Sequence, residues 1–142
     1  MKIRDVMTKN VIKIAPEETV EVAARTLLQH NIGILPVCDH RDKLCGLVTD
    51  RDLVTRCIAA NRSAANTPVG QIMTAQITTA DPDMQTEVAA RLMSRQQVRR
   101  LPVVENGRIC GMVSLADLAR REQNAQLAIN TLTGISENVS KR

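Results

Sequence analysis

The chain has 142 residues, 44% of them hydrophobic and 24% charged, enough to bury one proper core. Its net charge of +4 favours anionic ligands but is too small to mark a nucleic-acid binder, so a nucleic-acid partner is not expected. With no Phe, Tyr or Trp, the chain cannot stack a base on an aromatic ring and would have to sandwich it between aliphatic side chains.

The opening Met1-Lys2-Ile3-Arg4-Asp5 is charged at once, unlike a signal peptide, and no apolar run approaches membrane-spanning length. A cytoplasmic address, no membrane partner and four reduced cysteines are therefore expected. The first predicted strand covers 11–14 and ends at Pro16. A helix follows over 19–29, with Val20, Ala23, Ala24, Leu27 and Leu28 on one apolar stripe and His30 as its cap. Strands are predicted over 34–38 and 44–48, joined by the polar hairpin 39–43, with Gly46 at the start of the second. Leu53, Val54, Cys57 and Ile58 mark the buried face of a second helix. The order is β-α-β-β-α. It returns after a junction rich in turn formers, 61–70, with strands near 77–79, 101–104 and 109–113 and helices near 86–96 and 116–121. In the tail, 122–142, the spacing of Ala125, Ala128, Ile129 and Leu132 predicts a short amphipathic helix ended by Gly134, with 136–142 frayed.

The second unit copies the first. Val6-Met7-Thr8 matches Ile72-Met73-Thr74 at an offset of 66 (72 − 6), and Leu35-Pro36-Val37 matches Leu101-Pro102-Val103 at the same offset. Gly46 matches Gly111 at 65 (111 − 46), so one residue is lost in the hairpin. Most informative is the turn Gly46-Leu47-Val48-Thr49-Asp50-Arg51-Asp52 and its copy Gly111-Met112-Val113-Ser114-Leu115-Ala116-Asp117. Each is a strand leading into a helix, with a hydroxyl at the N-cap and a carboxylate three residues on.

These features resemble the cystathionine β-synthase (CBS) domain family, whose tandem pairs are called Bateman modules. The resemblance covers residues 1–121, with one CBS domain at 1–60, a linker at 61–70, a second domain at 71–121 and a tail at 122–142. It is nearest to small stand-alone bacterial proteins made of little but one such pair, including stress- and hypoxia-response proteins. It implies an α/β (α+β) fold, two β-α-β-β-α repeats packed about a pseudo-two-fold axis. It also implies a regulatory module that binds adenine nucleotides such as AMP, ADP or ATP in clefts between the repeats. Such a module needs no cofactor, forms a homodimer and signals to a downstream protein by a conformational or oligomeric change. The alternatives are a ligand-free structural or protein-interaction dimer in stress response and, ranked below it, a metal or redox site using Cys38 and His40.

The turns carry two compatible readings. Thr49-x-x-Asp52 and Ser114-x-x-Asp117 are capping boxes, which helices use for stability alone. The resemblance also gives Asp52 and Asp117 the ribose diol, and places Thr49 and Ser114 beside the ribose or phosphate. Thr8, Thr74, Ile34, Leu35 and Leu101 complete the set of expected ligand contacts. The entries to the Leu-Pro strands differ: Gly33-Ile34 in one copy, Arg99-Arg100 in the other. In the resemblance, basic residues there face ligand phosphates; the plain reading is a solvated surface. Arg51 is a further cation, for phosphate or for a neighbouring carboxylate.

The cysteines suggest less. Cys45 and Cys110 are equivalent positions in predicted strands and Cys57 lies on the apolar face of a helix, so all three read as core. Cys38, His40 and Cys45 cluster about a hairpin, but without the paired C-x-x-C spacing of a zinc site. No nucleophile–base constellation or phosphate loop is present, so no catalysis is expected.

Overall fold

The computed structural model describes residues 1–120 and 125–140. The fold is mixed α/β, as the repeats imply, but the compact bodies do not follow the repeat boundaries. One comprises Ile12–Ile77; the other comprises Met1–Val11 with Thr78–Arg142. The N-terminal segment thus belongs to the body of the second repeat.

In the Ile12–Ile77 unit, α1 (Val20–His30) leads into β1 (Ile34–Cys38), which pairs antiparallel with β2 (Leu44–Thr49). Then come α2 (Asp50–Leu53) and a π-helical continuation, Val54–Ile58. Thr19 caps α1 by accepting a hydrogen bond from the Val22 N–H. The helix ends because Asn31, not His30, takes the left-handed conformation at φ 52°. The core joins Val20, Ala23, Leu27, Leu35, Val37, Val48, Leu53 and Cys57 to Val69 and Ile72.

The other unit repeats the plan with α3 (Thr86–Gln96), β3 (Arg100–Glu105), β4 (Arg108–Ser114) and α4 (Leu115–Ala119). Here Asn106 and Gly107, at φ 54° and 80°, make the two-residue hairpin, which accounts for the lost residue. Its core takes in Ile3, fully buried among Leu101, Val103, Val113 and Leu118. Burying one such side chain contributes about 1.5–3 kcal/mol, which helps hold the N-terminal segment in this body.

Several expectations are corrected. The strand over 11–14 shrinks to a single parallel bridge, Ile14 to Val37; 77–79 forms no strand, and the matching bridge, Ala80 to Val103, falls just after it. Leu28, on the predicted apolar stripe of the first helix, and Val54 and Ile58, on the predicted buried face of the second, are 83%, 54% and 64% exposed, and Ala24 of the stripe is exposed as well. Gly46 lies inside β2 rather than at its start. The tail helix α5 runs from Ala125 to Ser140, straight through Gly134. That glycine marks close packing instead: a Cβ there would lie 3.1 Å from Ser94 Oγ on α3. The predicted end of the last repeat helix at Arg121, residues 122–124 and the final two residues lie outside the described residues. Among those described, no helix is long and apolar enough to cross a membrane.

Candidate functional site

Each unit presents the same strand-to-helix turn. In the first, the Asp52 N–H donates to Thr49 Oγ1 at 3.1 Å and the Thr49 N–H donates to Asp52 Oδ2 at 3.0 Å. In the second, the Asp117 N–H donates to Ser114 Oγ at 3.1 Å and the Ser114 N–H to Asp117 Oδ2 at 2.8 Å. Both capping boxes are therefore formed. They occupy one carboxylate oxygen of each aspartate and leave the other for a different partner.

That partner is an arginine the sequence reading overlooked. Arg56 Nε lies 3.6 Å from Asp52 Oδ1, and Arg120 Nη2 lies 2.9 Å from Asp117 Oδ1. The spacings, i,i+4 and i,i+3 from each aspartate, were the available signal. Arg56 also donates to the Ile72 carbonyl and to Thr74 Oγ1, both at 3.0 Å. Thr49, Asp52, Arg56 and Thr74 thus form one polar cluster. Arg51 is exposed, and the Asp52 carboxylate pairs with Arg56 instead.

The Val-Met-Thr segments dock beside these turns. Thr8 bridges Met112 in the second-repeat unit, with its N–H donating to the Met112 carbonyl at 2.8 Å. Thr74 bridges Leu47 in the other unit in the same way. So Thr8 sits on the strand that leads to Ser114, and Thr74 on the strand that leads to Thr49. Gly46 and Gly111 permit the approach: a Cβ would lie 2.7 Å from the Thr74 carbonyl oxygen and 3.0 Å from that of Thr8. Leu35 and Leu101 are sealed in the cores at 0% and 1% exposure, so they can line a site only from behind. Ile34 is half-buried at the open end of β1.

The two turns differ electrostatically by more than one residue pair. In β1–β2, Ile34 pairs with Thr49. In β3–β4 its place is taken by Arg100, opposite Ser114. The Gly33 carbonyl accepts from the Asp50 N–H, and a Cβ on Gly33 would lie 3.3 Å from the Asp50 carboxylate. The corresponding contact elsewhere is Arg99 with Leu115. One mouth thus carries a carboxylate where the other carries two guanidinium groups. Arg99, Arg100 and Ser114 share a cavity of about 590 Å³; Asp117 does not line it.

Cys38 is buried at the end of β1, and that burial pushes its thiol up to about 11. Asp39, in the hairpin, is held below the usual carboxylate range by the N–H groups of Arg41 and Lys43. Cys38, His40 and Cys45 do not come together as a metal cluster, and no group of three candidate ligands occurs among the described residues.

The profile of the CBS domain matches residues 3–58 and again 69–124, spanning both turns. The chain belongs to the CBS domain family. It is 37% identical over 134 residues to the CBS domain-containing protein YhcV of Bacillus subtilis, covering 94% of each chain. The crystal structure of Hypoxic Response Protein I with two coordinated zinc ions superposes with TM-score 0.79 at 33% identity, over 85% of this chain and 98% of that one. The CBS domain pair of protein MJ0100, solved with 5′-methylthioadenosine and S-adenosyl-L-methionine, gives TM-score 0.74 at 30% identity, over 84% and 94%. Both CBS domains of the present chain carry a hydroxyl and a carboxylate at the turn.

Proposed function

We propose that this CBS pair is a regulatory module that binds an adenine nucleotide at its strand-to-helix turns. It would have no catalytic activity of its own, act in the cytoplasm and signal to a partner protein by a change of conformation or assembly. The observation that carries this reading is the pair of capping boxes. In each, the carboxylate keeps one oxygen outside the box, facing an arginine that a ribose diol could replace or share. Acidic side chains hold ribose hydroxyls in this manner in dinucleotide-binding folds. The adenosyl ligands of the MJ0100 pair support the ligand class. A thermal-shift panel of AMP, ADP, ATP, S-adenosylmethionine and adenosine, read with an extrinsic dye, tests it. A ligand at about 100 times its Kd adds roughly 2.7 kcal/mol, on the order of 3–6 °C for a chain of this size. No shift with any of them at millimolar concentration overturns the reading.

The module is also proposed to work as a homodimer. Leu28, Val54 and Ile58 leave an apolar surface on the helices of the first-repeat unit, and a second copy is the simplest cover for it. Light scattering should report about twice 15.6 kDa. Leu28→Asp should return the monomer.

A further inference from the structure

Helix α5 starts beyond the two segments that match the family, and it packs on α3 and α4 of its own unit. The repeat shows what it covers. Ala90 on α3 is 2% exposed, whereas Ala24, its counterpart 66 positions earlier, is exposed. Ser94 is half-buried and its hydroxyl donates to the Thr131 carbonyl, whereas its counterpart Leu28 is bare. One helix face of the fold is thus open in the first-repeat unit and covered in the other.

The cover is fitted to its face. Gly134 brings α5 so near that an added Cβ would lie 3.1 Å from Ser94 Oγ, and a leucine at 94, as the first repeat has at Leu28, would fill that space. The cover is also lightly held. Of the side chains described on α5, Ala128, Thr131 and Ile135 are the buried ones, and only Ile135 is a large apolar group. Gly134 weakens the helix from within, and the Thr131 and Thr133 hydroxyls bond back to the carbonyls of Leu127 and Ile129, which loosens a helix further. An element with so few buried apolar contacts belongs to the least stable part of a fold.

We propose that α5 is a removable cover that withholds the α3–α4 face from a second copy of this chain. Seated, it leaves each chain one bare helix face, that of Leu28, Val54 and Ile58, and assembly closes at a dimer. Lifted, it bares Ala90 and the part of the core cluster that Ala128 and Ile135 now close, and dimers join through that face. The occupant is a second copy because the bared face repeats, helix for helix, the face by which the chain is proposed to pair with itself. The closed dimer rests on the function proposed above; the cover does not.

The test uses the full chain. Ile135→Asp puts a charge under α5 and leaves the face beneath it native; Ser94→Leu fills the space that the close approach of Gly134 needs. Each should raise the mass seen by light scattering at micromolar concentration from about twice to at least about four times 15.6 kDa. Hydrogen exchange across 125–136 should quicken in both. Ser94→Cys with Gly134→Cys supplies a lock: a Cβ on Gly134 would lie 3.4 Å from the Ser94 Cβ, close to the about 3.5–4.5 Å of a disulfide. Added to Ile135→Asp, the bridge should hold the dimer mass when oxidised and free the larger assembly when reduced. Peptide mass spectrometry identifies the bridge, and far-UV circular dichroism keeps folding in view. Unchanged mass in Ile135→Asp overturns the proposal, whether or not its helix exchanges faster. So does a bridge that never forms, or equal association of the oxidised and reduced locks, which would place the contact elsewhere. If the wild type is a monomer and Ile135→Asp doubles its mass under control of the lock, the cover stands and the dimer reading fails.

Discussion

Arg100 stands directly across the β3–β4 ladder from Ser114, where the other unit sets Ile34 across from Thr49. Both units offer a carboxylate at the turn for the ribose of an adenosine. Phosphate needs fixed positive charge, and Arg99 and Arg100 supply it on one side while Asp50 opposes it on the other. Charge-assisted hydrogen bonds are worth about 1.5–3 kcal/mol, and 1.4 kcal/mol is about a factor of ten. Arg99→Ala with Arg100→Ala should therefore weaken AMP or ATP at least about tenfold and leave adenosine nearly unchanged. Titration calorimetry of both proteins with both ligands decides it. Equal losses would mean that the arginines support the fold; no loss would make them solvated surface.

The two aspartates should answer differently to the same substitution. Asp117 is 6% exposed and its Arg120 contact is 2.9 Å; Asp52 is more open and its Arg56 contact is 3.6 Å. Asparagine still accepts the capping-box hydrogen bond but loses the charge. Asp117→Asn should therefore cost more stability, about 1 kcal/mol against about half that for Asp52→Asn. Asp52→Asn should cost more ligand affinity, because its free oxygen is held less tightly by its arginine. Urea denaturation and calorimetry on the two variants give both orders. Unchanged nucleotide affinity in both would leave the aspartates as caps alone.

The turns were legible in the sequence because capping boxes are local: Thr49 and Asp52, or Ser114 and Asp117, lie three residues apart and reveal themselves by type and spacing. The same holds for α1, α3 and the hairpin strands, whose period is written in Val20, Ala23, Leu27 and their copies. What spacing could not show was long-range. Nothing in Val6-Met7-Thr8 says that it pairs with Met112, more than a hundred positions away, rather than with its own repeat. Leu28, Val54 and Ile58 carry the helical period of core residues, yet they are exposed. Periodicity marks an apolar face but not what covers it. The arginines at Asp52 and Asp117 are hidden for another reason: a cation three or four residues along a helix is usually only surface decoration.

The glycines of the repeat give a stability prediction independent of any ligand. At Gly46 an added Cβ would lie 2.7 Å from both the Thr74 carbonyl oxygen and Met73 Sδ. At Gly111 it would lie 2.6 Å from Met7 Sδ but 3.0 Å from the Thr8 carbonyl oxygen. A thioether end can swing away; a carbonyl in a bridge cannot move without breaking it. Gly46→Ala should therefore cost more than Gly111→Ala, both in the range of about 1–3 kcal/mol expected for overpacking. Adding Met7→Ala should recover more of the Gly111→Ala loss than Met73→Ala recovers of the Gly46→Ala loss. Urea denaturation followed by far-UV circular dichroism suits a chain without aromatic reporters. Two equal costs, or two full rescues, would contradict the carbonyl argument.

Cys38 sets an alkaline limit on the fold. Its thiol titrates near 9 when exposed and is pushed up to about 11 in the native chain, burial being the main cause. Between these values the unfolded chain gives up the proton while the folded chain keeps it, so the native state binds more protons there. Stability must then fall as pH rises. The contribution is fully present below about pH 9 and is lost progressively up to about pH 11. Cys38→Val fills the same site without a titrating group, so its unfolding free energy should fall less steeply over that window than that of the wild type. Urea midpoints at pH 8, 9, 10 and 11 for both proteins, again by circular dichroism, measure the difference. In parallel, a thiol reagent at pH 8 should react with half-buried Cys45 well before Cys38. Parallel stability curves for the two proteins, or early labelling of Cys38, would show that the thiol is not held in its protonated form by the fold.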